Sequence, residues 1–323
     1  MSALGASTSS PAGAGRRGFI DPRALMRIGS LELRARVVVE GFWNGLHRSP
    51  FHGFSAEFTE YRPYSAGDDP RYVDWRVLAR SDRVYIKKFE DETNLRCHLL
   101  VDRSRSMDYG SAGVTKADYA STLAATLAQF LQRQGDAVGL MTFDERVREY
   151  LPARARSNHL RQLLLALDRP VEGRATDLVA PLEHILTLVR KRGLLVLVSD
   201  FLAPLDQLEA SLTTLATCGH ELLVFHLVDP AEASLSYTTP LLFEDLETER
   251  TLFVDPEVAR AGYRARFTAH LEAVRRSCER QGVAHHLLST DEPLELALFA
   301  FLKTRQHRAK SVRGARPAGG GHA

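Results

Sequence analysis

The chain has 323 residues, with 42 lysines and arginines against 40 aspartates and glutamates, a formal charge of +2, 44% hydrophobic residues and 25% charged ones. That is the composition of an ordinary soluble globular protein with ample material for a core, and it excludes a chain-wide electrostatic commitment to nucleic acid. Three cysteines, Cys97, Cys218 and Cys278, lie far apart with no CxxC, so neither a zinc site nor a disulfide framework is indicated. There is no signal-peptide pattern, and no apolar run approaches the ~20 residues that span a bilayer, so the expected location is cytoplasmic.

Residues 1–18 are rich in Ser, Ala and Gly and are expected to be disordered. Asp21-Pro22 then marks a helix start, with Asp as cap and Pro in the first turn. Leu25, Ile28, Leu31, Leu33 and Val37 to Val39 follow, and Gly29-Ser30 is a natural interruption. This segment reads as a helix docked on its own domain rather than lying on a membrane surface. Between Gly53 and Glu92 the pattern changes to short strands around the turn Gly67-Asp68-Asp69-Pro70. A short helix is expected from Pro70, carrying Val73, Trp75 and Leu78, and then a strand over Val84 to Phe89. Arg62, Asp68, Arg71 and Asp74 read as a salt-linked network fixing this region, with a functional cluster as the other reading.

From Cys97 the chain alternates strands and helices, which predicts a doubly wound, mostly parallel α/β sheet. Expected elements are the strand ending at Val101, a helix over Ala117 to Arg133, a strand over Ala137 to Phe143 and a return strand through Val147, Glu149 and Leu151. Helices follow from Ser157 to Leu167 and between Thr176 and Arg192, then the strand in GLLVLVSDF, a helix near Leu205 to Cys218 and a strand over Glu221 to Val228. Asp144 and Glu145 read as solvated turn acids, and Asp229 as a turn acid before Pro230. Leu241 to Val254 forms a small acidic β excursion, Pro256 to Gly282 a long helix, Val283 to Leu288 the last strand and Pro293 to Leu302 the closing helix. His285 and His286, adjacent on a strand, point to opposite faces and do not make a paired metal site. From Gln306 a basic, solvated tail is expected.

The stretch with chemistry is CHLLVDRSRSMDYG. Its apolar run stops at Asp102, and Ser104 and Ser106 follow at every second position, so a buried strand delivers one carboxylate and two hydroxyls to a loop at its carboxyl end. Such a set suits Mg²⁺, which takes oxygen ligands and keeps several waters. Asp and Ser are also favoured caps and turn formers at a strand-to-helix junction. Thr176 stands ahead of a later helix and Asp200 ends a later strand. Parallel strands in one sheet would bring Asp102, Ser104, Ser106, Thr176 and Asp200 to one cation.

DxSxS after the first strand, a Thr before a helix and an Asp after a later strand together resemble the metal-ion-dependent adhesion site of von Willebrand factor A domains. EFTEYRPYSAGDDPRYVDWRVLARSDRVYIKKFE, Glu57 to Glu90, is similar to the signature of the DUF58 family of bacterial proteins that carry such a domain. One departure is the run Gly173-Arg174-Ala175-Thr176, GRAT where many A domains have GGT. Composition, pattern and the resemblance, which covers roughly Phe51 to Phe301, together give four expected regions: a disordered stretch at 1–18, an N-terminal helix and β-rich signature region at 19–94, a von Willebrand factor A-like domain at 95–304 with a β excursion near 236–255, and a basic disordered tail at 305–323. Arg62, Gly67, Asp68, Asp69, Arg71, Asp74 and Trp75 belong to the signature without an assigned role. The expected function is a non-catalytic protein-interaction module holding Mg²⁺ or Mn²⁺ and accepting a partner's carboxylate. By resemblance, that partner is a MoxR-type AAA+ ATPase, the pair acting in assembly or activation of other proteins. The alternatives are a metal-dependent hydrolase of phosphate esters, with Asp177 or Asp229 as base, and a purely structural domain.

Overall fold

The computed structural model describes residues 19–48, 61–63, 85–87, 95–111, 113–171, 173, 179–244 and 250–314. The expectations for residues 1–18, for Gly67, Asp68, Asp69, Arg71, Asp74 and Trp75, and for Thr176 and Asp177 fall outside them. Asp21 caps α1 (Pro22–Met26), its carboxylate accepting the Arg23 N–H at 2.9 Å. The chain then breaks at Gly29-Ser30 before α2 (Leu31–Arg48). β1 (Tyr61–Pro63) and β2 (Tyr85–Lys87) pair antiparallel, with Arg62 opposite Ile86.

The alternating part begins with β3 (Arg96–Asp102), α3 (Lys116–Arg133), β4 (Ala137–Phe143), β5 (Val147–Arg154), α4 (Ser157–Leu167) and α5 (Val179–Leu188). It continues with β6 (Leu194–Ser199), α6 (Leu205–Thr217), β7 (Glu221–Val228), α7 (Pro230–Ser234), the hairpin β8 (Leu241–Glu244) and β9 (Thr251–Val254), α8 (Pro256–Arg280), β10 (Ala284–Ser289) and α9 (Leu294–Gly314).

Six strands form one sheet in the order β10-β7-β6-β3-β4-β5. All neighbours run parallel except β5, which is antiparallel to β4 at the edge. The turn from β4 to β5 is too short for a crossover, so the return strand must run antiparallel. β3, β4 and β5 spread to one side and β6, β7 and β10 to the other, so the strand order reverses between β3 and β6. In an open α/β sheet the crevice outside the carboxyl ends at that reversal is where ligands bind.

The strands read as continuous apolar runs because both faces are covered. Leu99, Val101, Val196, Val198 and Phe225 pack in one core with Leu123 and Leu127 of α3 and Leu298 and Phe301 of α9. Leu100, Leu195, Leu197 and Val224 pack in the other with Ile185 of α5, Leu212 of α6 and Val274 of α8. The doubly wound sheet expected from the sequence is therefore the fold. Cys97 and Cys278 are buried, and burial pushes both thiols up, Cys278 to about 12, so they behave as small hydrophobes.

Outside this sandwich, α2 lies on α3 and α9 through Ala35, Val38, Val39 and Phe42, all buried. The Phe42 ring meets Phe130 edge-on at 6.0 Å and lies 4.7 Å from Phe299. The helix is thus docked on its own domain. Among the described residues no helix is long and apolar enough to cross a membrane.

One expectation is corrected at the C-terminus. The closing helix does not stop at Leu302 but runs to Gly314, through the basic residues expected to form a solvated tail. No Gly or Pro interrupts 294–313, and lysines and arginines near a helix C-terminus favour the helix dipole. On β10, His285 Nε2 lies 3.3 Å from His226 Nδ1, whereas His286 Nε2 lies 3.0 Å from Thr304 Oγ1 of α9, so the two rings do face apart.

Candidate metal centre

β3 carries Asp102 to the carboxyl edge of the sheet, where it is fully buried. Its Oδ1 accepts the Ser104 N–H at 2.8 Å, a local turn that bends the chain back at once. A single 3₁₀ turn over Arg105–Asp108 follows, and the Ser104 and Ser106 hydroxyls come to 3.1 Å of each other. Gly110 lets the loop close tightly, because a Cβ there would run into the Val114 carbonyl. From the neighbouring strand, Ser199 Oγ donates to Asp102 Oδ2 at 2.6 Å.

Asp200 follows Ser199 directly, and the next residue, Phe201, has φ of 52° although it is bulky and fully buried. Such backbone strain persists only where the surroundings over-determine it. Here Phe201 N–H donates to Ser199 Oγ at 3.0 Å, the Phe201 carbonyl lies 3.0 Å from His270 Nε2, and its ring packs edge-on against His226. The turn places Asp200 near the Ser106 hydroxyl, which adds to the pull of Lys116 in holding its carboxyl down. Asp102, Ser104, Ser106 and Asp200 therefore meet at the reversal point.

Adjacent ligands of an octahedral Mg²⁺ stand about 2.9 Å apart, given metal–oxygen distances of about 2.0–2.1 Å. The 3.1 Å between the two hydroxyls is close to that edge, and the donors are all hard oxygens, so the residues fit such a cation. Among the described residues no three His, Cys, Asp or Glu side chains form a metal cluster, so the set depends on its hydroxyls. Thr176 lies outside the described residues, but Gly173, three positions earlier, is at the same edge. A Cβ on Gly173 would stand 2.7 Å from the Arg103 carbonyl and 2.8 Å from Asp144 Cβ.

The residue that sequence reasoning missed is Lys116. It is the first residue of α3, after the cap Thr115, and it is fully buried. Its ammonium donates to Asp200 Oδ2 at 2.8 Å and to Glu232 Oε1 of α7 at 2.6 Å, and it lies 5.8 Å from the centre of the Tyr109 ring. Burial alone would depress its pKa, but the Asp200 and Glu232 carboxylates outweigh burial and hold the ammonium above its ordinary value. Burial, and then the charge of Asp200, push the Asp102 carboxyl up. Burial acts the same way on Asp200, yet Lys116 more than reverses it and keeps Asp200 ionised. The sequence offers only a weak signal for Lys116: a cation in a helix's first turn opposes the dipole, but mildly where it is solvated.

The side chain between the two candidate ligands, Arg103, turns away from the site. Its guanidinium donates to Ser121 Oγ at 2.6 Å and to the Leu167 and Arg169 carbonyls, tying the loop to α3 and the end of α4. Asp144 is not a solvated turn acid: it is buried, accepts the Arg146 N–H at 3.1 Å and pairs with Arg148. The antiparallel return of β5 folds Arg148 back over it, which the sequence pattern does not reveal. Asp229 caps α7 in a capping box with Glu232 and also accepts the Ser111 N–H and hydroxyl, at 2.9 and 2.5 Å. It clamps the far end of the 103–115 loop.

An uncharacterized protein of Mycobacterium tuberculosis, Rv1480, is 27% identical over 299 residues, covering 91% of this chain and 93% of that protein. Solved structures similar to this chain include the conserved hypothetical protein BatB from Bacteroides thetaiotaomicron, at a TM-score of 0.44 and 11% identity over 66% of this chain and 99% of that one. Another is the SpRpn10 VWA domain, at a TM-score of 0.40 and 11% identity over 64% and 93%. The fold itself is defined by this chain's own strand order and register. The family described as "Protein of unknown function DUF58" matches residues 60–277, well over half of the sequence and most of the sheet, and the chain belongs to that family.

Proposed function

We propose that this chain is a non-catalytic protein-interaction module that works with a divalent cation, Mg²⁺ or Mn²⁺. One observation carries the reading: Asp102, Ser104, Ser106 and Asp200, from two strands far apart in sequence, meet where the strand order reverses. Asp102, Ser104 and Ser106 would hold the cation, with Asp200 beside it and Thr176 as a further hydroxyl from the segment entering at Gly173. When bound, the cation supplies an open coordination position for a carboxylate offered by another protein.

The chain's own residues prepare that position. Ser199 and the Ser104 N–H fix the orientation of the Asp102 carboxylate, Arg103 anchors the loop from behind, and Asp229 pins its far end. Among the acids near the site, Asp200 and Glu232 are paired with Lys116, and Asp229, one candidate base for phosphate-ester hydrolysis, is committed to a helix start and to Ser111. The other candidate base, Asp177, lies outside the described residues, and the interaction role rests on the oxygen set itself.

The resemblance noted in the sequence further points to a MoxR-type AAA+ ATPase as the partner, the pair acting in assembly or activation of other proteins. The test is capture of a purified MoxR-type ATPase on the immobilised full chain in Mg²⁺ and in excess chelator. Capture that is lost with chelator and restored by Mg²⁺ supports the reading. Capture indifferent to chelator contradicts the metal dependence, and no capture in either buffer contradicts the partner.

A further inference from the structure

The proposed site contains a positive charge of its own. Lys116 Nζ bridges carboxylates from two separate elements, Asp200 after β6 and Glu232 on α7, at 2.8 and 2.6 Å. Its side chain is 0% exposed, against 2% for Asp200 and 18% for Glu232. A buried lysine held by two acids is expensive unless the geometry around it is good, and here every element supplies a constraint. The capping box fixes Glu232, whose other oxygen accepts the Asp229 N–H at 3.2 Å. Strain at Phe201 fixes Asp200, and the backbone N–H of Lys116 itself donates to the Tyr109 carbonyl at 3.0 Å, so the lysine moves with the metal loop. Without the ammonium, Asp200 and Glu232 would be left as two uncompensated carboxylates beside the loop, and added carboxylate charge raises the affinity of such a site for a cation.

Resting on the proposed metal site, we propose that Lys116 is a tethered competitor for the divalent cation: it holds Asp200 and Glu232 off the metal, which keeps affinity moderate and leaves the coordination position for an outside carboxylate open. Lys116 is therefore a specificity-determining residue. Its charge sets how many protein carboxylates the metal can take, and ligand charge count is what tunes the affinity of such sites. Freed carboxylates also favour Ca²⁺, which takes more oxygens than Mg²⁺ and tolerates bidentate ones.

The test is isothermal titration of the full chain with Mg²⁺ and with Ca²⁺, comparing wild type, Lys116→Met, Lys116→Met/Glu232→Gln and Glu232→Gln, with circular dichroism to check folding. Lys116→Met is expected to bind Mg²⁺ about tenfold or more tighter, with a larger gain for Ca²⁺. The double variant removes one charge of each sign and keeps the freed Asp200, so it is expected to bind more tightly than wild type and decides the matter if the single variant does not fold. Glu232→Gln keeps the capping geometry but leaves Lys116 less neutralised, and is expected to weaken Mg²⁺ binding about threefold or more. Folded lysine variants that bind no more tightly than wild type, or an unchanged affinity in Glu232→Gln, overturn the proposal while leaving the metal site standing. Binding by a lysine variant where wild type shows none supports the competitor role and contradicts metal dependence of the natural chain. No binding by any of the four overturns both.

Discussion

Truncating Phe42 to alanine tests whether α2 is an integral part of the fold. The side chain is 1% exposed and sits between Phe130 of α3 and Phe299 of α9, with Val38 and Val39 completing the contact. Removing a fully buried phenylalanine costs about 3–5 kcal/mol, and close packing on two other aromatic rings places this site in the middle of that range, about 4 kcal/mol. Urea unfolding followed by circular dichroism should show a lower midpoint with an unchanged slope, so that the difference reports stability rather than compactness. Leu33, on the same helix but 45% exposed, serves as the control, and Leu33→Ala should stay within about 0.5 kcal/mol of wild type. A loss below about 1 kcal/mol for Phe42→Ala would refute the docking and return the membrane-surface reading of this helix to consideration.

Three further outcomes follow from the packing around the sheet. Arg103→Met leaves the Ser121 hydroxyl and the Leu167 and Arg169 carbonyls without their donor, and calorimetry should show a loss of about 3 kcal/mol, with Arg103→Lys failing to restore it because one ammonium cannot span three acceptors. Gly173→Ala places a methyl 2.7 Å from the Arg103 carbonyl and 2.9 Å from Asp144 Oδ2; the backbone at Gly173 must give way against the loop that follows Asp102, and Mg²⁺ titration should show weaker binding at a stability cost of about 1–3 kcal/mol. Burial lowers the pKa of His98 to about 4 and of His226 to about 3, below the value of about 6.5 in the unfolded chain. The unfolded state therefore binds protons first as pH falls, and each histidine removes about 2 kcal/mol of stability between neutrality and pH 5. Imidazole resonances of both residues that stay unprotonated at pH 5 bear this out, and titration near pH 6.5 contradicts it.

The sheet was legible because both its faces are covered. Leu99 to Val101 and Leu194 to Val198 are unbroken apolar runs that only a doubly buried strand requires, and each ends on a polar residue at the ligand edge. The oxygen donors were legible for the same reason, since Asp102 and Asp200 mark where the apolar runs of β3 and β6 stop. Lys116 was not, because a lysine opening a helix looks like any solvated residue until the chain places Asp200 and Glu232, 84 and 116 positions away, around it. Asp144 was misread for a related reason. A turn acid is normally solvated, and only the return of β5 brings Arg148 over it. The extension of α9 was hidden by composition: a run of lysines and arginines reads as a solvated tail, although nothing in 294–313 breaks a helix.

The central claim is that Asp102 is the anchoring carboxylate of a divalent-cation site, and isothermal titration of the full chain with Mg²⁺ and Mn²⁺ beside Asp102→Ala tests it most directly. The account predicts saturable binding by wild type and none by a variant that circular dichroism shows to be folded. Equal affinity in the two proteins, or no binding by wild type, would contradict it and reduce Asp102, Ser104 and Ser106 to residues that shape a turn.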